Sequence, residues 1–259
     1  MWNTFILDPM INALLFLYQL LGHNFALAII MFTVLIRLLT FPLTYQQQKS
    51  TQKQQKLMQS KEWQEVQKKY AKDREKLASE QMRMYKEAGA NPLGGCLPTL
   101  VQLPILIGLY QAIMRTLGAS PLQLIDLTRH IYEFFPNATS LIPIDNHFLW
   151  MNLAQPERLF LPFLPTFGIP VLAILVLITT WFSQKLITPP TADPQSSQMT
   201  RMMNLYMPVL LGYFALTFSS GLSVYFVVSN LLAIAQYALM GKVDVRRALG
   251  LKPAVKAVK

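Results

Sequence analysis

Apolar runs of membrane-crossing character alternate with polar, basic stretches along this chain. A bilayer core of about 30 Å needs roughly 20 apolar residues in a helix. Segments of that kind lie near residues 22–45, 93–118, 159–187, 205–219 and 222–240. The pattern predicts an all-α integral membrane protein with five transmembrane helices. Trp2, Phe5, Ile6, Met10, Leu14, Leu17 and Tyr18 fall at helical spacing, with Asp8 and Pro9 interrupting the start. Residues 1–21 therefore read as an amphipathic helix lying in the membrane interface; a partly ordered hydrophobic tail fits the same residues. The segment lacks the basic start and small-residue cleavage site of a secretory signal, so it reads as retained.

After the first span, 22–45, the character changes sharply. Residues 46–91 lack Pro and Gly until Gly89 and are rich in strong helix formers. A single rod of that length would reach about 65 Å. Because both ends must return to the membrane, a helical hairpin bending near Tyr70 to Glu75 is expected. The four remaining spans occupy 92–241, where Pro98 and Pro104 should kink the second. An outer loop, 119–158, mixes Pro, aromatic and short apolar patches, and short interfacial helices are expected there. Within it Asn137-Ala138-Thr139 matches a glycosylation sequon, a short pattern that often arises by chance. The fourth span, Leu205 to Ser219, would measure only about 22 Å, a mismatch that local bilayer thinning could absorb. Only Ser219, Ser220 and Gly221 separate it from the fifth, which predicts a tight transmembrane hairpin.

Charge orients the elements. The chain is 53% hydrophobic and 14% charged with a net charge of +10, and eleven Lys or Arg lie between residues 46 and 88. Six more fall in the tail, 242–259, whereas 119–158 holds only Arg129 and Arg158. Basic segments face the cytoplasm, which places the N-terminus outside and the C-terminus inside. The tail can serve as a topology anchor, or bind the phosphates of anionic lipid or ribosomal RNA.

One charge sits where the pattern does not want it. Arg37 interrupts the first span, and arginine cannot escape burial by losing its proton. Its burial costs about 2.5–3.5 kcal/mol at a helix centre, yet none of the five candidate spans contains Asp or Glu. Two readings fit: the side chain snorkels to the cytoplasmic surface, or it faces a water-filled cavity. Thr33, Thr40, Gln102, Gln111, Gln184, Asn204, Ser219, Ser223, Ser229, Asn230 and Gln236 supply polar groups from every span. They could line a hydrophilic groove or make ordinary interhelical hydrogen bonds.

Enzyme chemistry finds no footing. His23, His130 and His147 lie outside the inner membrane region, and the chain has no HExxH motif, paired Asp or phosphate-binding Gly-rich loop. The single cysteine, Cys96, excludes an internal disulfide or a cysteine-cluster metal site. No cofactor or small-molecule substrate is expected. A solute transporter or channel is the main rival, but no internal repeat supports it.

"VLIRLLTFPLTYQQQKSTQKQQKLMQ", "NPLGGCLPTLVQLPILIGLYQAI", "FLWMNLAQPERLFLPFLPTFG" and "MTRMMNLYMPVLLGYFALTFSSGLSVYFVVSNLLAIAQYALM" follow one another at set spacing. Together they resemble the YidC membrane-protein insertase family, with its mitochondrial and chloroplast relatives, from about residue 10 to 242. The resemblance implies five spans around a hydrophilic groove open to the cytoplasm and lipid. It implies insertion of nascent membrane proteins into the bilayer of a bacterial plasma membrane, alone or with the Sec translocon, and a weak ribosome contact through tail and hairpin. Arg37 matches the family's groove arginine. Gln184 and the Tyr225-Phe226 pair match positions associated with groove lining or client contact, although many relatives carry Trp at the place of Phe226. The expected groove set is Arg37, Thr33, Gln102, Gln184, Ser223, Tyr225, Phe226 and Asn230.

Overall fold

A computed structural model describes residues 1–71, 73–89, 97–118, 120–132, 143–161, 164–187 and 194–239. Cys96, the sequon at 137–139 and the tail 242–259 lie outside the described residues. The chain divides into two compact units: Met1–Leu38, Ile105–Ile187 and Leu205–Lys259 form one, and Leu39–Pro104 and Thr188–Asn204 the other.

In the first unit a short π-helical segment, Asn3–Leu7, leads into α1, Asp8–Leu20. Pro9 falls in the first turn of α1, where its fixed φ suits the helix. The buried stripe is Leu7, Ile11, Leu14, Leu15 and Tyr18, while Phe5, Phe16 and Leu20 are exposed. Of the residues expected at helical spacing, Leu14, Leu17 and Tyr18 are buried and Trp2 and Phe5 exposed, while Ile6 and Met10 are half-buried and pack against α5 (Leu97–Thr116) at Gly108. A β-carbon there would lie 2.7 Å from Ile6 Cγ2 and 2.9 Å from Met10 Sδ. Gly108→Val should therefore lower stability by about 2 kcal/mol through overpacking and open α1 to protease. An unchanged unfolding midpoint and cleavage pattern would contradict this packing.

Helix α2 runs unbroken from Phe25 to Met58, with Pro42 inside it. It spans about 51 Å. The first span and the start of the expected hairpin are thus one helix, since residues 46–58 are Gln, Lys, Leu and other helix-compatible types with no stop signal. In the second unit, α3 (Lys61–Lys69) begins where the Ser60 side chain accepts from the Trp63 N–H. Asp73 likewise caps α4 (Arg74–Glu87). The two helices join across residues 70–73, and buried Trp63 meets the Tyr85 ring edge-on at 5.2 Å.

The outer loop departs from expectation. Its one described helix, α6 (Pro121–Arg129), starts with a reciprocal cap between Ser120 and Gln123. Two antiparallel ribbons follow, β1 (His147–Phe148) with β2 (Met151–Asn152) and β3 (Leu159–Leu161) with β4 (Leu164–Ile169). The helix expected over 159–187 consequently begins only at Val171, as α7 (Val171–Ile187). Pro165 and Pro170 lack the N–H groups that a helix through this stretch would need.

Helix α8 runs from Pro194 to Thr217, a length of about 36 Å, rather than the 15-residue helix expected from its apolar part. The polar residues 195–201 extend it because none of them breaks a helix. Only Phe218 and Ser219 separate it from α9 (Ser220–Leu239). Among the described helices α2 and α9 are long and apolar enough to cross a membrane, while α7 and α8 carry shorter apolar stretches, Val171–Leu186 and Met202–Thr217. Helices α7 and α9 pack along each other. Phe25, Ile29, Leu109, Ile113, Leu127, Leu153 and Val176 form the fully buried centre of this unit.

Candidate functional site

Arg37 projects from α2 onto α9. Its Nη2 donates to the Ser229 carbonyl at 2.9 Å and to Ser229 Oγ at 2.5 Å. Two helical turns along α9 from Ser229, Gln236 Nε2 reaches the Arg37 carbonyl at 3.5 Å. Tyr225 and Tyr237, also on α9, lie near the guanidinium. Residues 225, 229, 233 and 236–237 recur at helical spacing, so one stripe of α9 faces Arg37. Ser229 offers neutral oxygens: they orient the guanidinium without cancelling its charge. A fixed, half-buried cation of this kind can attract carboxylates more strongly than one in bulk water.

The remaining expected groove residues divide by burial. Thr33 lies one turn before Arg37 and is buried, its hydroxyl donating to the Ile29 carbonyl at 2.6 Å. Ser223, Tyr225 and Phe226 are buried at the start of α9, the two rings tilted against each other at 5.7 Å. Asn230 is half-buried and joins α9 to α7, its Nδ2 donating to Thr180 Oγ1 at 2.8 Å and Thr179 Oγ1 at 3.2 Å. Gln184 is half-buried on α7, about one turn beyond Thr180. Gln102 belongs to the second unit. Asn230→Ala should cost only about 1 kcal/mol, since interhelical hydrogen bonds in membranes average near 0.6 kcal/mol each. A thermal-unfolding comparison in detergent would read the difference.

Three features escaped the sequence. Tyr237 could have been found from its spacing to Tyr225 and Ser229. Glu157 is buried, and its carboxylate accepts from Trp150 Nε1 at 2.8 Å and from the Leu172 N–H at 3.0 Å, capping α7. No local pattern announces it, because the cap is 15 residues away from the N–H it serves. Finally, His130 Nδ1 meets Asp8 Oδ1 at 2.6 Å while Arg115 contacts His130 Nε2 and lies 3.5 Å from Asp126. Asn12 Nδ2 completes this tie by donating to the His130 carbonyl at 2.8 Å. These groups staple α1 to the ends of α5 and α6. Among the described residues no cluster of three or more His, Cys, Asp or Glu is placed to hold a metal.

Comparison with known proteins agrees with the motif pattern. The family model described as "60Kd inner membrane protein" matches residues 16–247. A membrane protein insertase of Bacillus subtilis, MisCA, is 33% identical over 95% of this chain and 81% of its own. Membrane protein insertase YidC 2 of Bacillus anthracis is 35% identical over 92% and 80%, respectively. Among solved structures, the crystal structure of an active YidC insertase aligns with a TM-score of 0.52 at 25% identity, covering 85% of this chain and 42% of that one. The chain belongs to the 60Kd inner membrane protein family, the family of the YidC insertases.

Proposed function

We propose that this chain is a membrane protein insertase of the bacterial plasma membrane, acting on nascent membrane proteins. A client's hydrophilic segment enters a groove at Arg37, held by charge and water, while its apolar segment passes along α7 and α9 into lipid. No bond is made or broken. The driving force is burial of the client's span, at about 25 cal/mol per Å² of apolar surface. The observation that carries this reading is the Arg37 guanidinium, set inside an apolar stretch of α2 and aimed by the neutral oxygens of Ser229. Ionisable residues within membrane segments commonly mark a substrate path, which supports this reading.

The same reading assigns five spans, an outside N-terminus and a cytoplasmic C-terminus, from the distribution of Lys and Arg. Within the first unit Thr33, Gln184, Ser223, Tyr225, Phe226 and Asn230 would complete the groove set. The basic segments 46–91 and 242–259 would touch ribosome or anionic lipid, and the Sec translocon would be an optional partner. Complementation of an insertase-depleted bacterium tests the reading: the chain should restore growth and insertion of a short client. Failure to rescue, with the protein present in the membrane at normal level, would favour a transporter instead.

A further inference from the structure

We propose that the tip of the β1–β2 hairpin, Leu149–Trp150, is a lipid anchor seated in the headgroup boundary at the membrane face where α7 and α9 begin. The inference rests on membrane embedding alone, and insertase activity could fail without touching it. His147 pairs with Asn152 and Phe148 with Met151, leaving a two-residue loop. Such loops require positive φ and favour glycine or asparagine. Here the first loop residue is Leu149, at φ 56°. A leucine in that conformation is strained, and it gains no burial within the protein: Leu149 is 75% exposed and Trp150 49%. A strained apolar tip with no protein cover needs another apolar partner.

Its position identifies lipid as that partner. The carbonyls of Leu153 and Gln155 accept from the N–H groups of Gly221 and Ser220, at 3.1 and 2.8 Å. Ser220 Oγ adds a bond to the Asn152 carbonyl at 2.7 Å, and Glu157 caps α7 at Leu172. Residues 152–157 therefore rest on the first turns of both helices, and α9 is apolar enough to cross a membrane. At about 3.5 Å per residue the tip lies within roughly 10 Å of those helix ends. That reach includes the interfacial layer on one side of the hydrocarbon core, about 5–8 Å deep. Trp150 suits this layer, because its indole N–H is already bonded to Glu157, leaving the ring to meet lipid without an unmade hydrogen bond. Exposed Arg158 and Phe160 follow in the chain, offering a cation for phosphate beside a further ring.

An environment-sensitive fluorophore at Leu149→Cys, in a Cys96→Ser background and reconstituted into phosphatidylcholine vesicles, reads the depth directly. The expected result is blue-shifted emission, quenched most by lipid spin-labelled near the headgroup, less by lipid labelled deep in the acyl chain, and least by iodide present on both sides. Dominant iodide quenching would place the tip in water and overturn the proposal. Resistance to all three quenchers would place it against protein, as in a contact with a second copy, and overturn it equally. A label-free measurement guards against disturbance by the fluorophore: brominated lipid should quench the wild-type tryptophan emission by more than it quenches Trp150→Phe, and equal quenching would contradict the anchor.

Discussion

Arg37→Ala should reduce insertion of a short client with an acidic outer segment by roughly ten- to hundredfold, at matched membrane levels in an insertase-depleted bacterium. The figure follows from losing one hydrogen-bonded charge interaction with the client, about 1.5–3 kcal/mol, at 1.4 kcal/mol per factor of ten. Arg37→Lys should keep most of the activity, because a point charge still attracts carboxylates. It replaces the guanidinium, whose Nη2 reaches both Ser229 oxygens, with a compact and more strongly hydrated ammonium, so a modest defect is expected. The variants separate the two readings of the arginine. Equal insertion by arginine, lysine and alanine would reduce Arg37 to a residue whose charge snorkels to the surface. The alanine variant also removes both bonds to Ser229, so its thermal stability should be measured alongside; a defect in insertion with a small change in midpoint locates the effect in client binding.

Glu157→Ala should be among the most damaging single changes to the fold, lowering stability by about 3 kcal/mol or more. Its carboxylate is buried and serves two donors at once, the Trp150 indole and the Leu172 amide. Each such bond to a charged group contributes about 1.5–3 kcal/mol, and truncation strands both donors. A negative charge at the first turn of α7 also complements the helix dipole. Glu157→Gln keeps oxygen for one donor and turns an NH2 towards the other, so an intermediate loss is expected. Thermal unfolding in detergent reads both variants; a change below about 0.5 kcal/mol for the alanine substitution, the range of a neutral surface site, would contradict the bonding seen here.

What could be read from residues alone follows from how local each signal is. The apolar runs marked where α2, α5, α7, α8 and α9 lie, because a contiguous apolar stretch is a local signal, though not how long each helix is. Arg37 stood out for the same reason: a single charge is conspicuous against Val34–Leu43. The bend between α3 and α4 was legible from helix propensity and the need for both ends to return. Helix ends were less so. Residues 159–170 are apolar enough for a span, and only the spacing of Pro162, Pro165 and Pro170 distinguishes a ribbon from a helix there. The reverse error occurred in α8, where polar residues 195–201 hid a helix that needs no apolar face of its own. Long-range caps were invisible: Glu157 to Leu172, and the carbonyls of Leu153 and Gln155 to the start of α9, join segments that no periodicity connects. The residues expected to line a groove could be named from residue type and resemblance but not arranged, since Thr33 bonds within its own helix while Asn230 bonds α7.

The central claim is that this chain itself moves a client into lipid. Purified protein reconstituted into liposomes, with no Sec translocon present, tests it most directly. A short single-span client synthesised beside those vesicles should acquire a protease-protected fragment in amounts that rise with the chain's density in the membrane and fall with Arg37→Ala. Protection no greater than in empty vesicles, with the protein shown to be folded and inserted, would contradict the account.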